Sequence, residues 1–252
     1  MLQQLRASAR LTGVAFETGR QLAHFMAVRP FLSDREQRQF ALKLIHRWGG
    51  NLVRLLSLDI KVHGTPPSIP SLLVGNHRSY LDIAVLASVH PCLFLAKQEI
   101  STWPLFGTAA AAGGMVFVKR SDAADRRRVL GELRRRLETN ASVVVFPEGT
   151  TTAGPGISSF RPGVFKLGHE CRTRIVPFAV RYDDNGLAWV GEDTFVGHFL
   201  RTQGVTGNTA HIHFGQAIQP RDFSDPEALR VGAQGTVAKL LGEHERELCP
   251  IA

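Results

Sequence analysis

From Asp59 onward, short apolar runs alternate with segments of helical periodicity, and this alternation restricts the fold more than any other feature. The runs fall at residues 60–62, 72–74, 92–96, 115–118, 143–146, 175–180 and 211–214. Each is too short for a helix, and those at 72–74, 92–96, 115–118 and 143–146 are apolar at consecutive positions, as a strand covered on both faces must be. Between them, residues 80–88, 102–112, 122–139 and 162–171 carry helical patterns. Strand–helix alternation of this kind predicts an α/β fold: a largely parallel sheet covered by helices. Pro177 interrupts the sixth run and removes a ladder donor, which points to an edge strand or a bulge there.

The first 58 residues have a different texture. Ser33-Asp34-Arg35-Glu36 is a capping box, with the cap hydroxyl and a Glu three residues later. After it Phe40, Ala41, Leu44, Ile45, Trp48, Leu52, Leu55 and Leu56 recur at helical spacing, with Arg35, Arg38, Lys43, Arg47 and Arg54 on other faces. Residues 11–28 also read as helix, and Pro30 separates the two. An N-terminal amphipathic helical segment, 1–58, thus precedes an α/β domain, 59–252. Such a segment is either a hairpin packed on the core or a basic pair lying in a membrane interface. The N-terminus leads into no uninterrupted apolar core and is a poor signal peptide. Residues 100–118 carry no charge and approach spanning length, but Pro104, Gly107, Gly113 and Gly114 favour a buried helix followed by a buried strand.

The 252 residues suit one α/β domain with an appendage, or two small domains. Thirty Lys and Arg against 22 Asp and Glu, a net charge of +8, favour anionic partners. Zinc-finger spacing, an aromatic RNA-binding signature and a basic heptad region are all lacking, so no nucleic-acid partner is expected. Arg126 to Arg128 and Arg134 to Arg136 lie off the apolar stripe of their helix. They mark a solvated face, or a contact for anionic lipid or an acidic carrier protein. Cys92, Cys171 and Cys249 are distant from one another and odd in number. They indicate neither a disulfide framework nor a metal knuckle, and suit a reducing cytoplasm.

Three motifs carry candidate chemistry. Asn76-His77-Arg78-Ser79-Tyr80-Leu81-Asp82 follows the run at 72–74, where a buried strand ends and ligands of open α/β sheets bind. His77 and Asp82 are five apart, so on one continuous helix they point away from each other. They meet only if His77 stands in the loop and Asp82 on the following helix, where a carboxylate fixes the imidazole tautomer. Gly113-Gly114-Met115-Val116-Phe117-Val118-Lys119-Arg120 ends a strand in two cations that suit an anionic group. Val143 to Phe146 run into Pro147-Glu148-Gly149-Thr150, a turn that places a carboxylate beside a glycine open to close approach. Glu148 there bonds a substrate hydroxyl or pairs with a basic residue. No Gly-x-Ser-x-Gly elbow is present, which favours direct attack by a bound hydroxyl over an acyl-enzyme.

Taken together the ordered blocks NHRSYLD, GGMVFVKR, VVFPEGT and IVPFAV, between residues 72 and 180, resemble the glycerolipid acyltransferase family, which contains the 1-acylglycerol-3-phosphate acyltransferases. The resemblance implies His77 as general base and Asp82 as its partner. It implies Phe117, Arg120, Glu148 and Gly149 as acceptor-binding positions. Asn76, Lys119 and Thr150 stand beside them in the same blocks, and Arg161 follows in Phe160-Arg161-Pro162. It further implies acyl-CoA or acyl carrier protein as donor and a lysolipid as acceptor. No metal or redox cofactor is implied, and the location is peripheral or monotopic on the cytoplasmic face of a membrane. Many phosphatidate-forming members carry Arg directly after FPEGT, whereas here Thr151 and Thr152 follow. Arg161 or Lys166 then becomes the candidate for the missing charge. The acceptor expected first is 1-acylglycerol-3-phosphate, with another lysolipid such as lyso-ornithine lipid as the alternative. A thioesterase or lipase, or a non-catalytic lipid-binding protein, are the readings from other classes.

Overall fold

The computed structural model describes residues 1–119, 121–139 and 141–248, the last six of these by backbone only. Among the described residues, eight α-helices surround one seven-stranded sheet. Helix α1 (Leu2–Val28) starts well before the periodic stretch expected from residue 11. After a 3₁₀ turn, Ser33 caps α2 (Asp34–Leu56): its hydroxyl accepts from Glu36 N–H, and the Glu36 carboxylate accepts from Ser33 N–H at 2.9 Å. Ser57, at φ 53°, turns the chain directly from α2 into the first strand.

The strands are β1 (Leu58–His63), β2 (Leu72–Gly75), β3 (Cys92–Lys97), β4 (Val116–Val118), β5 (Ser142–Val145), β6 (Ile175–Tyr182) and β7 (Asn208–Phe214), one for each apolar run. Their order in the sheet is β1-β7-β6-β2-β5-β3-β4. Every neighbouring pair is parallel except β6 and β7. β1 and β7 therefore run together, against the other five. The remaining helices are α3 (Leu81–Val89), α4 (Phe106–Ala112), α5 (Ala123–Glu138), α6 (Gly163–Glu170), α7 (Phe195–Thr202) and α8 (Pro226–Leu248). The last two lie beyond the helices read from the sequence.

Pro177 sits on β6, which is interior and not an edge. Its tolerance has a local cause. Phe178 pairs with Phe214 while Ile175 bridges Ile218, so the partner segment holds one residue more across this stretch. That extra residue is a bulge, and the proline lies beside it. The uncharged 100–118 stretch becomes a 3₁₀ turn, α4 and β4, and α4 is half-exposed instead of buried. No described helix is long and apolar enough to cross a membrane.

Successive strand residues point to opposite faces, so the sheet divides its apolar side chains between two cores. Leu73, Val144 and Val176 join Leu81 and Val85 of α3, Leu52 and Leu56 of α2 and Val14 of α1. Leu72, Val143, Val145 and Ile175 face Val129 and Leu133 of α5, Phe165 of α6 and Leu229, Ala233 and Val237 of α8. The N-terminal helices thus share a core with the sheet. α2 lies close on α3 because Gly49 has no side chain: a Cβ there would stand 2.7 Å from that of Ala87. Helix α1 is partly inside out. It buries Arg10, Glu17, Thr18 and Gln21 and exposes Leu2, Leu5, Phe16 and Met26. Buried Arg10 donates to Gln203 O, Val205 O and Ser57 Oγ, which fastens α1 to the far end of the chain.

Candidate active site

The carboxyl ends of β2, β5 and β6 meet at one point, and the loop after β2 carries His77 to it. His77 stands in the irregular stretch between Gly75 and Leu81, and Asp82 in the first turn of α3. This is the arrangement the five-residue spacing requires, and His77 Nδ1 lies 2.7 Å from Asp82 Oδ2. The same oxygen accepts from Arg78 N–H at 2.7 Å and Ser79 N–H at 3.1 Å. Tyr182 OH donates to Oδ1 at 2.6 Å. Asp82 is fully buried. Four donors thus replace the water that burial removes from this carboxylate, in the first turn of α3. Burial, and then the charge of Asp82, hold the Tyr182 phenol well above the usual tyrosine range, so it stays a donor.

With Nδ1 committed to Asp82, Nε2 is the ring nitrogen that remains for chemistry. The His77 ring stacks on Phe146 at 4.0 Å between centroids. Its side chain is 18% exposed, enough to meet a substrate. The Glu148 turn locks the backbone of His77 from the other side. Glu148 Oε1 accepts from His77 N–H at 2.8 Å and Oε2 from Ser158 N–H at 2.7 Å, while Thr152 N–H donates to His77 O at 2.9 Å. Arg78, also buried, reaches Thr152 O and Gly156 O and ties down the same loop.

His77 forms part of the wall of a cavity of about 730 Å³ between the sheet and the N-terminal helices. Leu22 and Phe25 of α1, Leu44 and Trp48 of α2, and Trp103 and Phe106 line its apolar body. Gly149, Thr150, Thr151 and Lys97 add polar groups to the lining. An imidazole opening on an apolar cavity suits a substrate that is mostly hydrocarbon.

Residues 59–181 match the acyltransferase family model. The chain is 30% identical to the 1-acyl-sn-glycerol-3-phosphate acyltransferase of Neisseria gonorrhoeae, over 72% of this chain and 69% of that one. The chain is a member of the acyltransferase family. It is also 29% identical to the lyso-ornithine lipid O-acyltransferase of Pseudomonas aeruginosa, over 96% of this chain and 95% of the relative. The crystal structure of the 1-acyl-sn-glycerophosphate acyltransferase PlsC from Thermotoga maritima shares the fold, with a TM-score of 0.74, 22% identity and coverage of 97% and 95%. The activity is that of an acyltransferase acting on lysolipids.

Within this acyltransferase the expected substrate-binding residues separate. Asn76 is completely buried, and its amide exchanges two hydrogen bonds of 2.8 Å with the backbone of Val180. It holds β2 to β6, and its burial keeps it from a substrate, so its expected role is corrected. Glu148 is corrected likewise: it is buried, and its oxygens serve His77, Ser158 and Thr152. Gly149, at φ 76°, borders the cavity, and a Cβ there would stand 2.5 Å from Arg161 Nε. The exposed Arg161 side chain therefore rests against the cavity's glycine. Thr150 is exposed and lines the cavity. Phe117 and Lys119 lie at the end of edge strand β4, where their backbones bond Arg128 and Asp125, and neither is among the described lining residues. Arg120 lies outside the described residues. The sequence reading missed Tyr182. Its only local signal is a phenol two residues beyond an apolar run, after Arg181.

Proposed function

We propose that the protein transfers a fatty acyl group from acyl-CoA or acyl carrier protein to the free hydroxyl of a lysolipid, with His77 as general base. The observation that carries this reading is the His77–Asp82 pair opening on the apolar cavity. His77 Nε2 takes the proton of the lysolipid hydroxyl as that oxygen attacks the thioester carbonyl. Nδ1–H stays on Asp82, whose charge stabilises the imidazolium. The tetrahedral intermediate collapses, the carbon–sulfur bond breaks, and the imidazolium returns its proton to the leaving thiolate. General-base catalysis supplies roughly 10²–10⁴ in rate. Alignment of two lipids in one cavity supplies a further large factor.

For the acceptor, two observations favour a lyso-ornithine lipid over 1-acylglycerol-3-phosphate, the acceptor expected first. Thr151 and Thr152 occupy the place of the phosphate-side arginine. The relative named for lyso-ornithine lipid matches almost the whole chain, whereas the phosphate-named relative matches 72% of it.

The site works on a lipid, so we place the enzyme peripherally or monotopically on the cytoplasmic face of a membrane. Support comes from α1, whose outward face carries Leu2, Leu5, Phe16 and Met26, with Phe31, 85% exposed, just beyond it. Apolar side chains on the outer face of a helix that buries its polar ones suit an interfacial position.

The test is acyl transfer from labelled acyl-CoA and acyl carrier protein to each lysolipid in mixed micelles. Transfer to the ornithine-headed acceptor, at a kcat/KM above that for the phosphate-headed one, is expected. Thioester hydrolysis undiminished without acceptor would make the protein a thioesterase instead.

A further inference from the structure

On the sheet face opposite the cavity, three histidines gather across β1 and β7. His211 and His213 are alternate residues of β7 and share one face of it. His63 stands directly opposite His213 in the parallel register. One ring nitrogen from each lies within 4.8 Å of the other two. His211 and His213 are buried and His63 half-buried.

The geometry points to a binding site for a divalent transition ion of the zinc class, held by His63, His211 and His213. His63 Nε2 and His211 Nδ1 are 3.2 Å apart. Two imidazole nitrogens bound about 2.0–2.1 Å from one tetrahedral ion stand about 3.3 Å apart, so this pair is already spaced as ligands. The other nitrogen of His211 lies 3.1 Å from Asp183 Oδ1. That carboxylate fixes the tautomer that presents Nδ1, as an outer carboxylate does for a metal-bound histidine. Imidazoles suit zinc, copper and nickel. His63 and His213 stack at 4.1 Å with planes 4° apart. Binding therefore requires these two rings to tilt out of parallel, bringing the third nitrogen in by at most about 1.5 Å for a bond of normal length.

The ion joins β1, which leaves α2 directly, to β7. Its outer-shell Asp183 follows Tyr182, the donor to Asp82. It is a structural clasp behind the active site and takes no part in acyl transfer.

The experiment uses tag-free full-length protein, stripped with chelator and titrated with Co²⁺ and with Zn²⁺. One equivalent of Co²⁺ is expected to give visible d–d absorption typical of low coordination, and Zn²⁺ to displace it and raise Tm. His63→Gln and His213→Gln are each expected to abolish the absorption and the Tm increment. Asp183→Asn is expected to weaken binding by roughly 10–100-fold. His77→Ala is expected to bind as wild type does. Circular dichroism and Tm without metal check that each variant folds, and double replacement of His63 and His213 serves if a single one does not. Wild-type protein that binds neither ion overturns the proposal and leaves a plain stack of imidazoles. So does binding that survives His63→Gln and His213→Gln, or that disappears with His77→Ala.

Discussion

Tyr182 and Asp82, a hundred positions apart, are joined by a 2.6 Å hydrogen bond from phenol to carboxylate, at the point where β6 ends beside the first turn of α3. The phenol is one of four donors that hold a fully buried charge, and that charge orients His77. Tyr182→Phe keeps the ring and removes the donor. A hydrogen bond to a charged group is worth roughly 1.5–3 kcal/mol, so kcat should fall about tenfold or more while KM for either substrate changes little. A Tm reduced by a few degrees with unchanged kcat would reduce Tyr182 to a packing role.

His77→Ala should lower kcat by at least roughly 10²-fold, the smaller end of general-base contributions, in a protein that still folds and binds vesicles. Asp82→Asn should lose activity and stability together. The amide turns an NH₂ group toward one of the four donors that now face carboxylate oxygens. Near-wild-type turnover in folded His77→Ala protein would remove the general base from the mechanism.

Glu17 provides a pH signature that does not involve His77 or Asp82. Burial opposes its ionisation, but hydrogen bonds from Arg20, Asn51 and Gln21 outweigh burial and push its pKa from 4.5 down to about 2. A depressed carboxylate contributes stability that is present above the unfolded value and is lost as pH falls through the folded one. The window therefore runs from about pH 4.5 down to about 2, and the contribution is roughly 3 kcal/mol. Urea unfolding of Glu17→Gln between pH 5 and pH 2.5 should show a flatter decline than wild type. Parallel declines would mean that the α1–α2 network adds nothing to acid sensitivity.

Removing the first 58 residues is a poor test of membrane docking, because Val14, Leu52 and Leu56 belong to the main core. Phe16 and Phe31, 71% and 85% exposed, can be changed without touching it. Burial of a large apolar side chain is worth roughly 1.5–3 kcal/mol. Phe16→Ser with Phe31→Ser should then weaken vesicle co-sedimentation by at least about a hundredfold, and leave turnover of a micellar short-chain acceptor near wild type. Unchanged sedimentation would place the membrane contact elsewhere.

What this sequence determined by itself is local. Each of the seven strands coincides with one short run, and the alternation or continuity of apolar residues within it sets its period. The cap of α2 is complete within four residues, from Ser33 to Glu36. The His77–Asp82 pair was legible because the two residues are close enough for one loop and one helix turn to bring them together. The rest depended on which strands became neighbours, and nothing local records that. Asn76 looked like a substrate ligand until Val180, 104 positions away, took both ends of its amide. Glu148 looked equally available until the backbone of His77, 71 positions away, occupied it. The inward face of α1 followed the same rule: Arg10 is buried because carbonyls near residue 204 accept from it. A polar side chain carries the same chemistry whether it meets a ligand or another part of its own chain. Sequence supplies that chemistry, and only the order of the strands in the sheet decided which partner it met.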